Sequence, residues 1–431
     1  MTYAETIEYL YNRLPVFHHI GSAAYKPGLD NTIRLMNALK NPHTNYRTIH
    51  VAGTNGKGSV SHLLASVLQR AGYKVGLYTS PHLVDFGERI RIDGKTIEQQ
   101  YVIDFVEKYK DLFSKIEPSF FELTMGMAFN YFSDCKVDIA VIEVGLGGRL
   151  DSTNIILPEL SVITNISFDH VGFLGDTLEK IAFEKAGIIK ANVPVVIGEI
   201  NSETRPVFEL KAKEQHAPIS FAEEHLKVTL LGNENQKMHV KTTDNKFYTV
   251  GLTGLYQLKN IVTTLTAINQ LNQLNFKITE AAIEEGFENV TEITGLQGRW
   301  QILQQQPTLV ADTGHNVGGI QFVVEQLRLQ TYKTLRIVIG MVNDKDISSV
   351  LALLPKEAQY YFTQANIIRA LSASELAEIA RSYGLKGSAY PSVAQAVKLA
   401  LSDSDENDFI LIGGSNFVVG EALNFYNNRT I

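Results

Sequence analysis

The sequence predicts an α/β protein: a P-loop domain with a mostly parallel, doubly wound sheet, followed by a smaller C-terminal Rossmann-like α/β domain. Apolar runs typical of buried strands alternate with segments of helical periodicity along most of the chain. At 431 residues, the chain exceeds the size of one ordinary domain. The alternation stops at a glycine-containing segment near residue 295 and then starts again, which indicates a second unit.

The first half of the chain provides the predicted large sheet. Its N-terminal segment, MTYAETIEYLYNRL, has Glu5 and Glu8 within an apolar pattern and predicts an amphipathic helix. The predicted strands are TIHVAG, KVGLYTS, VDIAVIEVG, LSVITNI and VPVVIG, and the predicted helices cover about 57–71, 98–114, 121–134 and 177–187. Strands that alternate with helices need crossover connections, so a mostly parallel sheet follows.

Residues 226–250 have short runs of alternating polarity instead. The runs LKVTLLG, KMHVKT and KFYTVG, separated by Gly232-Asn233 and Asp244-Asn245, predict an antiparallel ribbon attached to the first sheet. Two helices are predicted after the ribbon, near 258–273 and 278–288.

The segment TGLQGRWQ, which contains Gly295 and Gly298, is the predicted hinge. We expect residues 1–295 to form the P-loop domain, residues 296–300 the hinge and residues 301–431 the C-terminal domain. The C-terminal domain is predicted from the strands TLVADT, LRIVIGMV, QYYFTQ and DFILIGG and from helices that begin near 316 and 346 or cover about 373–382, 391–402 and 416–426.

The composition excludes several classes of protein. A net charge of −7, a pI near 5.9 and the lack of a Lys/Arg cluster argue against a nucleic-acid partner. The sequence lacks a signal-peptide pattern and any apolar run of the roughly 18 residues that span a bilayer, so we expect a cytoplasmic protein without a membrane partner. The single cysteine, Cys135, excludes an intramolecular disulfide and a multi-cysteine metal site.

The stretch IHVAGTNGKGSVSHLL has the order of strand, glycine-rich turn and helix that a phosphate-binding loop requires. Gly53, Gly56 and Gly58 let backbone N–H groups point inward, and Lys57 can neutralise the outer phosphates. The first glycine interval is three residues instead of five, and Ser59 lies one place late. The alternative is a glycine-rich turn before a helix that happens to contain a lysine.

A metal ion at this loop would need oxygen ligands from other strands, because Gly58 stands where a hydroxyl normally holds Mg²⁺. Ser80, Glu143 and Asp169-His170 follow neighbouring predicted strands, whose carboxyl ends meet at one edge of a parallel sheet. Each has a structural alternative, as a turn residue, a solvated strand end or a hydrogen-bonded histidine.

Further motifs follow in order along the chain. They are GTNGKGS at 53–59, YTSPHL and F.ERI within 78–90, VIEVGLGGRLDSTN at 141–154, DHVGFLGDTLEKIAFEKAGIIK at 169–190, GLYQLKN at 254–260, GR at 298–299, DTGHN at 312–316 and GMVNDKD at 340–346. This set resembles the folylpolyglutamate synthase and dihydrofolate synthase family of the Mur ligase superfamily. The match runs from about residue 2 to the C-terminus.

The resemblance implies an ATP-dependent ligase that adds L-glutamate to the γ-carboxylate of folate through an acyl phosphate and releases ADP and phosphate. Its cofactors would be ATP and Mg²⁺, and it leaves a K⁺ requirement open. We expect a monomer whose partners are small molecules: ATP, L-glutamate and either folate or dihydropteroate. A bifunctional enzyme that also adds the first glutamate to dihydropteroate fits the same motifs.

The family's functional positions carry over by matching motif. The resemblance assigns the phosphates to Gly56, Lys57, Gly58 and Ser59, the magnesium ions to Ser80, Glu143 and His170, and the nucleotide to Asn260, Arg299 and Asp312. Imidazole normally suits transition metals better than Mg²⁺, so His170 is assigned on the resemblance alone.

Four more residues are assigned in the same way. Lys185 resembles a lysine that the family often carries as a carbamate, although composition alone favours a surface lysine. His315 matches a histidine near the reacting groups, with a supporting role. Arg89 and Ser415 match positions around the acceptor or the glutamate, where a guanidinium could grip a carboxylate. Arg89 could instead form an exposed ion pair with Glu88.

The chain departs from the family pattern around the hinge. Thr313 and Gly314 stand where Gly and Ala are commoner, Trp300 and Gln301 where a smaller hydrophobe and Glu often stand, and Val317 where Pro is frequent. We expect these changes to affect packing and ATP affinity more than the reaction.

Two alternatives of another class remain. A P-loop kinase or simple NTPase would explain GTNGKGS but not the second domain with DTGHN, and a non-catalytic nucleotide-binding module would not need Glu143, His170 and Lys185 together.

Overall fold

The computed structural model describes residues 1–13 and 28–428. Leu14, the last residue of the predicted N-terminal helix, and residues 429–431 of the predicted C-terminal domain lie outside the described residues. Within these ranges the strands form three sheets of eight, three and six strands.

The eight-stranded sheet has the order β4-β3-β2-β5-β1-β6-β7-β8. Its strands are β1 Arg47–Ala52, β2 Val75–Tyr78, β3 Ile90–Ile92, β4 Lys95–Thr96, β5 Ile139–Glu143, β6 Leu160–Ile163, β7 Val195–Ile197 and β8 Ile219–Phe221. The neighbours from β2 to β8 are parallel, and β3 and β4 add an antiparallel edge. The predicted, mostly parallel sheet is confirmed; β3, β4 and β8 were not predicted because each is short and has no continuous apolar run like that of β7.

Helices cover both faces of this sheet, because its central strands are apolar on both sides. On one face, helix Lys57–Arg70 packs with helices Gln257–Gln273 and Glu280–Glu288 over residues such as Val141. On the other face, Ile142 lies in a core with the helices Tyr3–Arg13, Asp30–Ala38, Gln99–Ile116 and Phe120–Asp134. The remaining helices of this half are Val171–Leu174, Leu178–Ala186, Arg205–Glu214, Ala222–His225 and Val290–Thr294.

The predicted ribbon forms the three-stranded antiparallel sheet, with strands β9 Val228–Glu234, β10 Lys237–Thr242 and β11 Phe247–Val250. Two details of the prediction were wrong. The ribbon is a separate sheet that packs on the two helices after it, not on the first sheet. The first turn lies at Asn235-Gln236, whose φ angles are 51° and 59°, and Gly232-Asn233 belong to β9.

The six-stranded sheet has the order β12-β13-β17-β14-β15-β16. Its strands are β12 Gln301–Gln305, β13 Thr308–Ala311, β14 Leu335–Ile339, β15 Gln359–Phe362, β16 Lys386–Ala389 and β17 Phe409–Gly413. Its helices are Val317–Arg328, Ile347–Leu353, Ala373–Ser382, Val393–Ser402 and Asn416–Asn427. Sequence periodicity missed β12 and β16 because both are edge strands without an apolar run.

The chain passes between the two large sheets through the segment that follows helix Val290–Thr294. Gly295 and Gly298 both have φ angles of 69°, and Trp300 has a φ angle of 46° just before β12. The domain boundaries and the hinge stay predictions. None of the helices in residues 1–13 and 28–428 is long and apolar enough to span a bilayer.

Candidate functional site

The glycine-rich turn occupies residues 53–56, between β1 and helix Lys57–Arg70. Gly53 has a φ angle of 147°, and a Cβ atom there would lie 1.9 Å from Oγ1 of Thr164. Gly56 has a φ angle of 86°, and its Cβ would lie 2.4 Å from Oδ1 of Asn260. Only glycine fits both positions, because the turn is pressed between neighbouring elements.

Lys57 begins the helix and folds back over this turn. Its Nζ atom donates to the carbonyl oxygens of Gly53 at 3.0 Å and Thr54 at 3.1 Å. Burial lowers the pKa of the Lys57 ammonium, while Glu143 and Asp169 act in the opposite direction. The first turn of a helix has free N–H groups, so a cation and these donors face the same space.

The other predicted phosphate and nucleotide residues surround the turn. Ser59 is buried, and its Oγ accepts from Nε2 of Gln257 at 3.1 Å. Asn260 donates to Oε1 of Gln257 at 2.8 Å, and its Oδ1 faces Gly56. The hydroxyl of Ser59 is therefore engaged with the protein, and Gly58 lies beside Nη2 of Arg299.

Arg299 and Asp312 link the segment after helix Val290–Thr294 to the second domain. Arg299 donates from Nη1 to Oγ1 of Thr313 at 2.5 Å. Asp312 accepts from the Tyr256 hydroxyl at 2.7 Å and the Trp300 amide at 2.8 Å through Oδ2. Thr313, which departs from the family pattern, thus supplies the hydroxyl oxygen that binds Arg299.

Glu143 ends β5 and lies close to Ser80, which follows β2. Oε2 of Glu143 accepts from the backbone N–H of Ser80 at 3.3 Å. Burial raises the pKa of the Glu143 carboxyl to about 7, although Lys57 and Arg299 lower it. The parallel sheet thereby brings these two predicted metal-site residues together.

His170 is placed differently from these two residues. Its φ angle is 50°, and its Nε2 lies 3.3 Å from Nζ of Lys345, a residue of the second domain. Lys345 also forms an ion pair with Asp169. His170 therefore faces the domain interface, and its assignment to the metal stays a prediction.

Asp169 is the centre of a polar cluster that joins the two domains. Besides Lys345, it accepts from Nδ2 of Asn316 at 3.1 Å, and its Oδ2 lies 3.5 Å from Nε2 of His315. Asn316 also exchanges side-chain hydrogen bonds with Asn55 of the glycine-rich turn. Sequence reasoning assigned no role to Lys345 or Asn316, although both lie in quoted motifs.

Lys185 is buried below the turn, with 3% of its surface exposed. Its Nζ donates to the carbonyl of Gly53 at 2.9 Å. Burial lowers the pKa of this ammonium to about 7, and Lys57 adds to the shift. The composition-based alternative of a surface lysine is therefore wrong.

Arg89 and Ser415 lie on opposite domains. Arg89 is 2% exposed, and the ion pair with Glu88 that the sequence left open does not form. Glu88 instead accepts from the amides of Leu83, Val84 and Asp85. Ser415 is the N-cap of helix Asn416–Asn427, and its Oγ accepts from the Val418 amide at 3.1 Å.

A cavity of about 240 Å³ between the domains collects most of these side chains. The predicted residues that line it are Lys57, Ser80, Arg89, His170, Lys185, His315 and Ser415. A neighbouring cavity of about 40 Å³ shares Ser80 and is lined by Gly58, Glu143 and Arg299. Gly56, Ser59, Asn260 and Asp312 line neither cavity and support the turn or the domain junction from behind.

The structure combines a glycine-rich turn before a helix, a buried carboxylate and a serine beside the turn, and a cavity walled by a second α/β domain, which are typical of a two-domain P-loop ligase. Residues 51–268 match the Mur ligase middle domain, and residues 298–416 match the Mur ligase, glutamate ligase domain. The chain is 32% identical to a dihydrofolate synthase/folylpolyglutamate synthase of Bacillus subtilis over 413 residues, which cover 92% of this chain and 94% of that protein. The chain belongs to the folylpolyglutamate synthase and dihydrofolate synthase family.

Other proteins are also similar to nearly the whole of this chain. A probable bifunctional folylpolyglutamate synthase/dihydropteroate synthase of Haloferax volcanii is 31% identical over 434 residues, which cover 98% of this chain and half of that protein. The structure of Escherichia coli FolC in complex with DHPP and ADP has a TM-score of 0.86 at 30% identity and covers 100% of this chain and 99% of that one. A bifunctional folylpolyglutamate synthase/dihydrofolate synthase with Mn, AMPPNP and L-glutamate bound has a TM-score of 0.82 at 28% identity, with 98% of each chain covered.

Proposed function

We propose that this protein is an ATP-dependent ligase that adds L-glutamate to the γ-carboxylate of a folate through an acyl phosphate and releases ADP and phosphate. The observation that carries this proposal is the cavity shared by the two domains. Lys57 lies on one wall, and Ser415 lies at a helix N-terminus on the other. A nucleotide, an acidic acceptor and an amino acid can thus meet in one enclosed space.

A carboxylate must be activated before an amine can displace an oxygen from it. In the first step, a carboxylate oxygen of the acceptor attacks the γ-phosphorus of ATP, and the bond to the β,γ-bridging oxygen breaks, so ADP forms and stays bound until the amide is made. Lys57 and the N–H groups of the glycine-rich turn stabilise the charge on the transferred phosphoryl group. Arg299 lies beside Gly58 and adds positive charge on the same side.

Residues Glu143 and Ser80 fit a magnesium ion shared with the nucleotide. Within the described residues, side chains of His, Cys, Asp and Glu do not form a group of three that could hold a metal alone. Mg²⁺ at nucleotide sites usually takes one or two protein oxygens and completes its shell with phosphate and water. A buried carboxylate next to a serine meets that need, and the bound ion would neutralise phosphate charge.

In the second step, the neutral amine of glutamate attacks the carbonyl carbon of the acyl phosphate, and the C–O bond to phosphate breaks. The proton that the amine loses leaves with the phosphate. Nδ1 of His315 lies 2.9 Å from the carbonyl oxygen of Thr313 and its Nε2 lies 3.5 Å from Oδ2 of Asp169, so both ring nitrogens face acceptors and the histidine orients Asp169 beside the cavity. We assign His315 this supporting role.

Lys185 is proposed to carry a carbamate. Its pKa near 7 gives it a neutral fraction that can attack CO₂, forming an N–C bond and releasing a proton. The resulting anion would lie beside the Gly53 carbonyl and near Lys57, where it could fix that ammonium. A K⁺ requirement, a monomeric state and the nucleotide contacts of Asn260 and Asp312 also stay proposals.

The acceptor is tested with purified protein, magnesium and ATP. We expect ADP release to require both a pterin acid and L-glutamate, with the product heavier by one glutamyl residue in mass spectrometry. Dihydropteroate and tetrahydrofolate are compared side by side, because many relatives are named for both activities. ADP release that needs neither substrate would indicate a simple NTPase and contradict the proposal.

A further inference from the structure

Arg89 is a buried cation in the cavity wall that lacks a protein counter-ion. It is 2% exposed, and none of the ion pairs in residues 1–13 and 28–428 includes it. Its Nη2 atom has no hydrogen-bond partner among the described residues. An uncompensated buried charge is costly, so this guanidinium is suited to an anion that enters the cavity.

His82 holds the opposite edge of this guanidinium. Nε of Arg89 donates to Nδ1 of His82 at 2.7 Å. Because Nδ1 accepts this bond, the hydrogen of the neutral imidazole is on Nε2, which lies 3.1 Å from the hydroxyl of Tyr11. Arg89 is therefore held through Nε, and its Nη edge remains available to a ligand.

Tyr11 belongs to the N-terminal helix Tyr3–Arg13 and closes this arrangement. Its ring stacks on Phe120 with centroids 5.0 Å apart and an interplanar angle of 16°. The guanidinium carbon of Arg89 lies 5.3 Å from the centre of the same Phe120 ring. The hydroxyl of Tyr3 lies 3.4 Å from Oδ1 of Asp85, which adds a second contact between this helix and the loop.

We propose that His82 and Tyr11 are positioning residues that aim the Nη edge of Arg89 at the carboxylate of the pterin acceptor. This inference rests on the proposed function. The acceptor is favoured over glutamate because Arg89 shares its wall with the aromatic side chains of Phe120 and Phe121, which suit an aromatic acid. The N-terminal helix would thus support the acceptor site from behind, because Tyr11 contacts His82 and does not line the cavity itself.

The test measures the affinity of the full chain for dihydropteroate by fluorescence titration and for ADP in parallel. We expect His82→Leu to weaken dihydropteroate binding about tenfold or more, with ADP binding changed less than about twofold. His82→Asn should stay within about threefold of the unmodified protein, because Oδ1 of asparagine can replace Nδ1 as the acceptor for Arg89. Tyr11→Phe should weaken dihydropteroate binding by only about threefold, because it removes the hydroxyl that contacts His82 but keeps the ring that stacks on Phe120.

Tyr101→Phe is the matched control, because its hydroxyl binds Asp134 in the same aromatic core, outside the cavity lining. It should bind both ligands normally. Equal dihydropteroate binding by His82→Leu and the unmodified protein, or an equal loss in His82→Asn, would overturn the inference while leaving the ligase intact. Should His82→Leu fail to fold, the comparison of Tyr11→Phe with Tyr101→Phe tests the inference. Equal dihydropteroate binding by these two variants would overturn it. An unmodified chain that binds ADP but no pterin acid would overturn the proposed function and the inference with it.

Discussion

Lys185 is the residue whose environment most changes its chemistry. A lysine with 3% exposure and a pKa near 7 behaves as a nucleophilic amine at neutral pH, whereas an exposed lysine stays protonated. Its place below Gly53 connects that chemistry to the glycine-rich turn. Neither fact could be predicted from the sequence, because helical periodicity does not show which neighbours cover a lysine.

Lys185→Ala should reduce kcat by about 100-fold or more, because the site would lose the carbamate that we propose to fix Lys57. Short carboxylic acids added to the assay should restore part of the activity by supplying a carboxylate in the vacated space. The measurement is the rate of ADP and product formation with and without acetate or formate. Lys180→Ala is the control, since Lys180 lies on the same helix but is 62% exposed. Full activity of Lys185→Ala would contradict the assignment.

At the scale of elements, the glycine-rich turn was predictable because each requirement is local. The apolar strand, the glycines and the helix lie within residues 49–64, and their order alone specifies the geometry. By contrast, the turn of the ribbon was predicted at Gly232-Asn233 and lies at Asn235-Gln236. Both pairs are plausible turn residues, and only the pairing of β9 with β10, including its bulge, selects between them.

Gly53→Ala should reduce ATP affinity more than stability. An alanine there would collide with Thr164 and would need a φ angle that L-residues rarely adopt, so the turn must move. We expect KM for ATP to rise about tenfold or more. The double variant Gly53→Ala/Thr164→Ala removes the clash with Oγ1 and should recover part of the affinity. Gly232→Ala is the control, because its Cβ would meet nothing within 4 Å.

The strand β1 also has a buried histidine that should make stability depend on pH. Nε2 of His50 lies 2.9 Å from Oγ1 of Thr153, and burial lowers the pKa of His50 to about 3. The pKa of His50 in the folded protein lies below the unfolded value of 6.5. The stability that neutral His50 provides is therefore fully present above pH 6.5 and is lost as the pH falls toward 3.

His50→Gln should therefore remove roughly 3 kcal/mol of the acid destabilisation between pH 6.5 and pH 4. Urea unfolding of both proteins across this range measures the difference. His225→Gln, a change at an exposed position, is the control for replacing a histidine as such. If the free energy of unfolding fell equally with pH in His50→Gln and in the unmodified protein, charging of the His50 imidazole would not be a cause of the acid destabilisation.

At the scale of the whole molecule, the two domains meet through contacts that are remote in sequence. Asn55 pairs with Asn316, and Asp169 pairs with Lys345, residues separated by 261 and 176 positions. The sequence predicted an α/β unit on each side of the hinge and several of the residues that line the cavity, but it assigned no role to Lys345. Spacing within one domain cannot indicate which loop of another domain will face it.

Lys345→Ala should shift the protein toward a more open arrangement, because Asp169 loses its cationic partner across the interface. Small-angle scattering should show a larger radius of gyration without ligands, and ATP with a pterin acid should reverse part of the change. Lys333→Ala, which removes an exposed ion pair with Asp405 inside the second domain, should leave the scattering unchanged. Identical curves for Lys345→Ala and the unmodified protein would show that this pair does not hold the domains together.

The most direct test of the account follows oxygen from the acceptor carboxylate. A pterin acid labelled with ¹⁸O in its carboxylate is incubated with ATP, magnesium, L-glutamate and the protein. If the carboxylate attacks the γ-phosphorus, one labelled oxygen should appear in inorganic phosphate for each new amide bond. Amide formation with unlabelled phosphate, or ADP release without amide formation, would contradict the acyl phosphate at the centre of the proposed reaction.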